Sequence, residues 1–198
     1  MSELQIFIIR HAEKPDPKGQ WPGPGLTSDG EDDPESLVIR GWQRAGAWAA
    51  LFDAGLGGTD YPAPAKIYAA DPGAAAMPAA AGNGPSKRPY ETATPLAERL
   101  GQSVDKTYAK GDECKLAKEV VALSGVVLIC WEHKAIYESL CPDIAGAQKS
   151  SLKLPTDWPG DRFDVVLRFH RKDATDAWKF DQRFPMLMSG DSNTPLPT

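Results

Sequence analysis

Two short apolar runs dominate the pattern of the chain, Leu4-Gln5-Ile6-Phe7-Ile8-Ile9 near the N-terminus and Val126-Val127-Leu128-Ile129-Cys130-Trp131 further on. Runs this brief and this apolar predict strands buried in the sheet of an α/β protein. Lys66-Ile67-Tyr68-Ala69-Ala70 predicts a shorter strand, and Val104 to Ala109 a further one. From Arg40 to Phe52, apolar residues recur at Trp42, Ala45, Trp48 or Ala49, and Phe52, the spacing of a helix with one buried face. Pro89 to Leu100 predicts a second helix that buries Tyr90, Ala93, Ala97 and Leu100. Pro95 is expected to kink or divide it, since proline removes an internal hydrogen bond. Asp112 to Leu123 predicts a helix with Leu116, Val120 and Leu123 inward, and the second apolar run leads into another from Lys134 to Leu140.

Near the C-terminus the period changes. Phe163 to Phe169 and Ala177 to Phe184 alternate at strand period and predict a hairpin across Lys172 to Asp176. Residues Glu13 to Glu35 are rich in proline, glycine and acidic side chains and predict a loop over the crevice, with Trp21 as its anchor or a lid contact. Asp71 to Pro85 and Leu152 to Asp161 predict further loops, and the polar tail from Ser189 is expected to fray. Strands alternating with helices predict a three-layer α/β/α sandwich around a mostly parallel central sheet, the hairpin adding antiparallel strands at one end. Residues 1–198 are expected to form a single domain, with loops 13–35 and 71–87 near the site and a tail at 189–198.

Composition narrows the classes. A hydrophobic fraction of 41% and a charged fraction of 25% are those of an ordinary globular chain, against wholesale disorder. The net charge of -5 and the lack of a basic run give no footprint for nucleic acid. No apolar run has the length of a membrane span, and the N-terminus has no secretory signal pattern. Three scattered cysteines, Cys114, Cys130 and Cys141, fit a reduced cytoplasmic protein better than a disulfide framework. The sequence leaves oligomeric state open.

The candidate chemistry sits where the apolar runs end. Arg10-His11 closes the first run, and buried α/β strands present their working residues at that end. Taken alone, the pair equally fits a strand returning to water. A second arginine, Arg88, lies in Ser86-Lys87-Arg88-Pro89-Tyr90-Glu91-Thr92-Ala93, and a second histidine, His133, follows the second run after Glu132. This order resembles the histidine phosphatase superfamily, the phosphoglycerate-mutase-like proteins. Arg10-His11-Ala12-Glu13 matches its Arg-His-Gly-Glu motif with Ala12 in place of glycine. Ser86 to Ala93 matches its second motif with Glu91 in place of glutamine, and Gly41-Trp42-Gln43-Arg44-Ala45 matches a helix start. Glu132-His133-Lys134 departs from the usual Ser-His-Gly. The resemblance runs from Leu4 to Leu140.

The resemblance implies a phosphoglycerate-mutase-like fold and a phosphatase acting on a small phosphomonoester, with no metal and no cofactor. A phosphoglycerate-mutase-type phosphotransferase and a non-catalytic phospholigand-binding protein are the alternatives. With His11 and His133 at the ends of neighbouring parallel strands about 4.8 Å apart, two imidazoles can face one phosphorus. Neutral His11 would attack phosphorus, a carbonyl or carboxylate fixing its tautomer. Arg10 and Arg88 would hold the phosphate oxygens as planar forks, and His133 would stabilise the transition state. The helix start after His133 would add backbone N–H donors. The general acid stays open among Glu113, Asp112 and Glu132, with Asp112 also suited to a helix N-cap and Glu132 to orienting His133. Lys134 occupies the place of the acid-phosphatase branch's aspartate and disfavours that branch. His170, in the alternating segment, reads as structural, and Cys130 with His133 completes no zinc pattern.

Overall fold

The computed structural model describes residues 3–16, 18, 22–53, 57–73 and 86–198. The first apolar run forms β1 (Leu4–Arg10), and the second forms β3 (Gly125–Trp131). They lie side by side in parallel register, Leu4 opposite Gly125 and Arg10 opposite Trp131. The short strand β2 (Lys66–Ala69) pairs parallel with β3 on its other side. Beyond β1, β4 (Val166–Arg171) runs antiparallel and leads into β5 (Lys179–Arg183), the expected hairpin. The order across the sheet is β2-β3-β1-β4-β5.

That order corrects the expectation of a mostly parallel sheet. Two of the four pairings are parallel and two antiparallel, so the sheet is evenly mixed. A parallel neighbour needs a crossover, whereas β4 and β5 need only a tight turn.

Helices cover both faces. On one, α1 (Ile39–Asp53) and α2 (Arg88–Arg99) pack Trp48, Phe52, Ala93, Leu96 and Ala97 onto Phe7, Ile9, Leu128 and Cys130. On the other, α3 (Glu113–Val120), α4 (His133–Ala135) and α5 (Cys141–Ala145) border a core of Leu116, Val120, Ile144, Ile6, Ile8, Ile129 and Leu167. The alternation of strand side chains sends odd and even positions of β1 to opposite cores, which is the three-layer sandwich.

Local departures have local causes. Pro95 lies inside α2 without dividing it. The helix expected after β3 is longer than its pattern suggests, because a π-turn at Ile136–Leu140 joins α4 to α5 just before Pro142. There the Cys141 amide reaches back five residues to the Ile136 carbonyl, and Pro142 has no N–H with which to continue the regular ladder. Val104 to Ala109 forms no strand. It borders β2 through an isolated bridge at Asp105, with the Ala69 amide donating to the Asp105 carbonyl at 3.0 Å.

The tail is not frayed. Leu196 is buried, the Ser192 amide donates to Asp164 Oδ2 at 2.6 Å, and the Leu196 amide donates to Gln182 Oε1 at 2.7 Å. Gln182 lies in β5, so the tail is tied to the side chain of an edge strand. Trp21 and most of loop 71–87 lie outside the described residues.

Candidate functional site

His11 is the residue after β1, and its amide extends the β1–β3 ladder by donating to the Trp131 carbonyl at 3.0 Å. His133 begins α4 two residues beyond the end of β3. The parallel register therefore brings both histidines to one end of two adjacent strands. His170 lies opposite Gln5, towards the other end of β1.

The His11 imidazole is 4% exposed, and its Nδ1 lies 2.8 Å from the Ala12 carbonyl. A carbonyl only accepts, so Nδ1 carries the proton and Nε2 keeps its lone pair. Burial holds the ring's pKa well below its usual value. The Arg10 guanidinium adds to that, as do Arg88 and His133, against the opposing Ala12 bond. Neutral His11 with a free Nε2 is the form a nucleophile needs.

Arg10 is 1% exposed and is held from beneath by a distant loop. Its Nη1 donates to the carbonyls of Pro159, Gly160 and Arg162 at 3.2, 3.0 and 2.9 Å. The Phe163 ring lies 3.9 Å from the centre of the guanidinium, a cation–π contact, and 6.1 Å from the His11 ring. Nε of Arg10 is buried with no hydrogen-bond partner among the described residues. Burial lowers the Arg10 pKa to about 10, against the pull of Glu132, Glu13 and Asp161.

Arg88 opens α2 and reaches loop 34–36. Its Nη2 donates to the Pro34 carbonyl at 2.6 Å and its Nε to the Ser36 carbonyl at 3.3 Å. Both expected forks are thus partly committed to carbonyls that aim them. Glu91, three residues on, accepts from Ser36 Oγ at 2.6 Å and from the Leu37 amide at 2.9 Å, which fixes that loop.

Behind His11, the Glu13 carboxylate takes Arg44 Nε at 3.0 Å on each oxygen, and Arg40 Nε lies 3.3 Å away. Arg44 Nη2 also reaches Asp191 Oδ1 at 2.8 Å, tying the tail to the first motif. Gly41 lets α1 come this close: a Cβ there would fall 2.5 Å from the Glu13 carbonyl oxygen.

The expected acids are all occupied. Glu113 is buried, accepting from the Trp131 indole at 2.9 Å and from the Gly111 amide at 3.0 and 3.1 Å. Asp112 holds the N-cap position of α3 without a side-chain cap bond; it pairs instead with Lys115 at 2.6 Å, which lowers its pKa. Glu132 Oε1 lies 2.8 Å from His133 Nδ1, while its Oε2 accepts from the Ala135 amide at 3.0 Å and pairs with Lys110 at 3.3 Å. Burial raises the Glu132 pKa, yet His133, the Ala135 amide and Lys110 outweigh it and hold the carboxyl far below its usual range. The arrangement sets the Glu132 carboxylate against the His133 ring. It also takes one of the expected backbone donors at this helix start, the Ala135 amide.

Burial pushes the Cys130 and Cys141 thiols far up, so neither supplies a thiolate. Among the described residues, no three His, Cys, Asp or Glu side chains cluster to hold a metal ion.

A solved structure of the protein histidine phosphatase SixA, complexed with tungstate, matches this chain with a TM-score of 0.53. The match covers 91% of this chain and 97% of that one, at 14% identity. The fold is that of a histidine phosphatase. No protein-family model matches the sequence, and a search of curated protein sequences finds no match.

Within the histidine-phosphatase fold, several partners of the site carry little signal in the sequence. Thr92 lies within the second motif without a role for its hydroxyl, and Phe163 reads as one residue of an alternating segment. The Arg10 loop acts through backbone carbonyls, which no side chain announces. Lys14 follows the first motif directly and is half-buried.

Proposed function

We propose that the protein is a phosphatase that transfers the phosphoryl group of a small phosphorylated substrate, a phosphomonoester, to His11 and then to water. The observation that carries this reading is the Nδ1 contact of buried His11 with the Ala12 carbonyl, which leaves Nε2 free beside Arg10. In the first step Nε2 bonds to phosphorus and the bond to the leaving oxygen breaks. In the second, water attacks the phosphohistidine and the electron pair returns to Nε2.

Arg10 and Arg88 would neutralise the phosphate oxygens, and the reaction then requires no metal or cofactor. The orphaned Arg10 Nε is a donor that an anion would satisfy. Glu132, 2.8 Å from His133 Nδ1, would aim that ring at the same oxygens. The likeness to SixA supports phosphoryl chemistry and adds a protein phosphorylated on histidine to the substrates worth assaying. No helix among the described residues is long and apolar enough to cross a membrane, and the free cysteines fit action in the reducing cytoplasm.

The occupied carboxylates favour a second reading, a phospholigand-binding protein without turnover. A panel of phosphomonoesters assayed across pH with chelator present separates the two. Turnover supports the phosphatase, and phosphate binding without turnover at any pH supports the binder.

A further inference from the structure

Arg10 meets two consecutive residues of one short segment. Its Nη1 donates to the Arg162 carbonyl at 2.9 Å, and the centre of its guanidinium lies 3.9 Å from the Phe163 ring. The same Arg162 carbonyl accepts from the Trp158 indole at 2.8 Å, and the Arg162 amide donates to the Pro159 carbonyl at 3.1 Å. The seat of Arg10 is thus a closed loop, and no side chain of that loop bonds to Arg10.

The side chains that flank Phe163 bond to the C-terminal tail. Arg162 Nη1 donates to the Thr194 carbonyl at 2.9 Å and its Nη2 to the Ser192 carbonyl at 3.0 Å. Asp164 is buried, taking Arg162 Nε on Oδ1 at 2.8 Å and the Ser192 amide on Oδ2 at 2.6 Å. Each carboxylate oxygen therefore has its own donor, one on the seat and one on the tail. A planar guanidinium held at Nη1 and across one face has a fixed plane, which sets where its unpartnered Nε can donate.

Resting on the phosphatase reading, in which Arg10 holds the phosphate, we propose that Arg162 and Asp164 are positioning residues for Arg10. Through them the tail segment 192–194 sets the affinity of the site for the transferred phosphate. A charge clamp displaced by about 1 Å loses on the order of a hundredfold in effect, so anchors remote from the chemistry can govern it.

The test titrates inorganic phosphate into the wild type, Arg162→Met, Asp164→Asn and Arg10→Lys, each shown to be folded by urea denaturation, and follows the Arg10 guanidinium by nitrogen–proton NMR. Methionine keeps the length of the side chain but gives up the fork that reaches the tail. Asparagine offers one acceptor oxygen where two donors now meet a carboxylate. In the wild type, the Arg10 Nη1 hydrogens, held by carbonyls, should give resolved signals that are lost in Arg10→Lys. The proposal expects Arg162→Met and Asp164→Asn to bind phosphate about tenfold more weakly or worse, with the Arg10 signals collapsed to a freely rotating average. If Asp164→Asn does not fold, Arg162→Met decides, since it leaves the buried carboxylate its Ser192 bond. Unchanged phosphate affinity, or weaker binding with the Arg10 signals intact, would overturn the proposal while leaving the phosphatase reading standing. Equal phosphate binding by the wild type and Arg10→Lys would remove Arg10 from the clamp and overturn both.

Discussion

The Ala12 amide donates to Thr92 Oγ1 at 2.9 Å, and the same hydroxyl donates to the Arg88 carbonyl at 2.7 Å. One side chain on α2, 80 positions after Ala12 in sequence, therefore fixes both the residue that follows His11 and the first residue of its own helix. Replacing Thr92 by valine keeps its shape and leaves the buried Ala12 amide without an acceptor. Chemical denaturation of Thr92→Val should show a loss of about 1–3 kcal/mol. Inorganic phosphate binding should weaken with it, and Thr92→Ser should restore both.

The buried ion pairs behind His11 give a second prediction. Breaking a buried pair strands the remaining charge, so Asp191→Asn should destabilise the protein by about 3 kcal/mol at neutral pH. Burial raises the Asp191 pKa, but Arg44 outweighs it and the net value is depressed. A depressed folded value means that this stabilisation is complete above the unfolded pKa of about 3.9 and fades as pH falls through the folded one. The gap between wild type and Asp191→Asn in urea denaturation should therefore narrow below about pH 4. A gap that stays constant into that range would show that Asp191 acts through something other than its charge.

Nitrogen NMR of the imidazoles tests the state of His11. Because burial and Arg10 hold its pKa well below the usual value, the ring should be neutral at pH 6, protonated on Nδ1 and bare on Nε2. An imidazolium signal from His11 at that pH would remove the nucleophile as drawn.

Much of this arrangement was readable before folding. β1, β3, α1, α2 and the closing hairpin follow from apolar period, and the parallel pairing of β1 with β3 puts His11 and His133 together as their positions suggested. What escaped was long-range and polar. Arg10 is seated by carbonyls about 150 residues away, and a carbonyl has the same identity in every residue. Arg44 sits on the apolar face of α1 because Glu13 and Asp191 meet it there, a match that only the folded chain makes. The tail looks polar enough to fray, yet its backbone amides find Asp164 and Gln182. Val104 to Ala109 has strand-like residues but keeps only a single bridge to β2.

Glu132 separates orientation from acid catalysis. Glu132→Gln can still cap the Ala135 amide but loses the charge that faces His133 and Lys110. If Glu132 serves His133, turnover should fall about tenfold or more on both glycerol phosphate and nitrophenyl phosphate. A loss confined to glycerol phosphate would instead make Glu132 the acid.

The central claim is that His11 carries the phosphoryl group. Acid quench of the protein during turnover of a radiolabelled phosphomonoester, followed by peptide mapping, tests it directly. The account predicts an acid-labile, alkali-stable label on the peptide holding His11, absent from His11→Ala along with activity. Turnover without a label on that peptide, or labelling undiminished in His11→Ala, would contradict it.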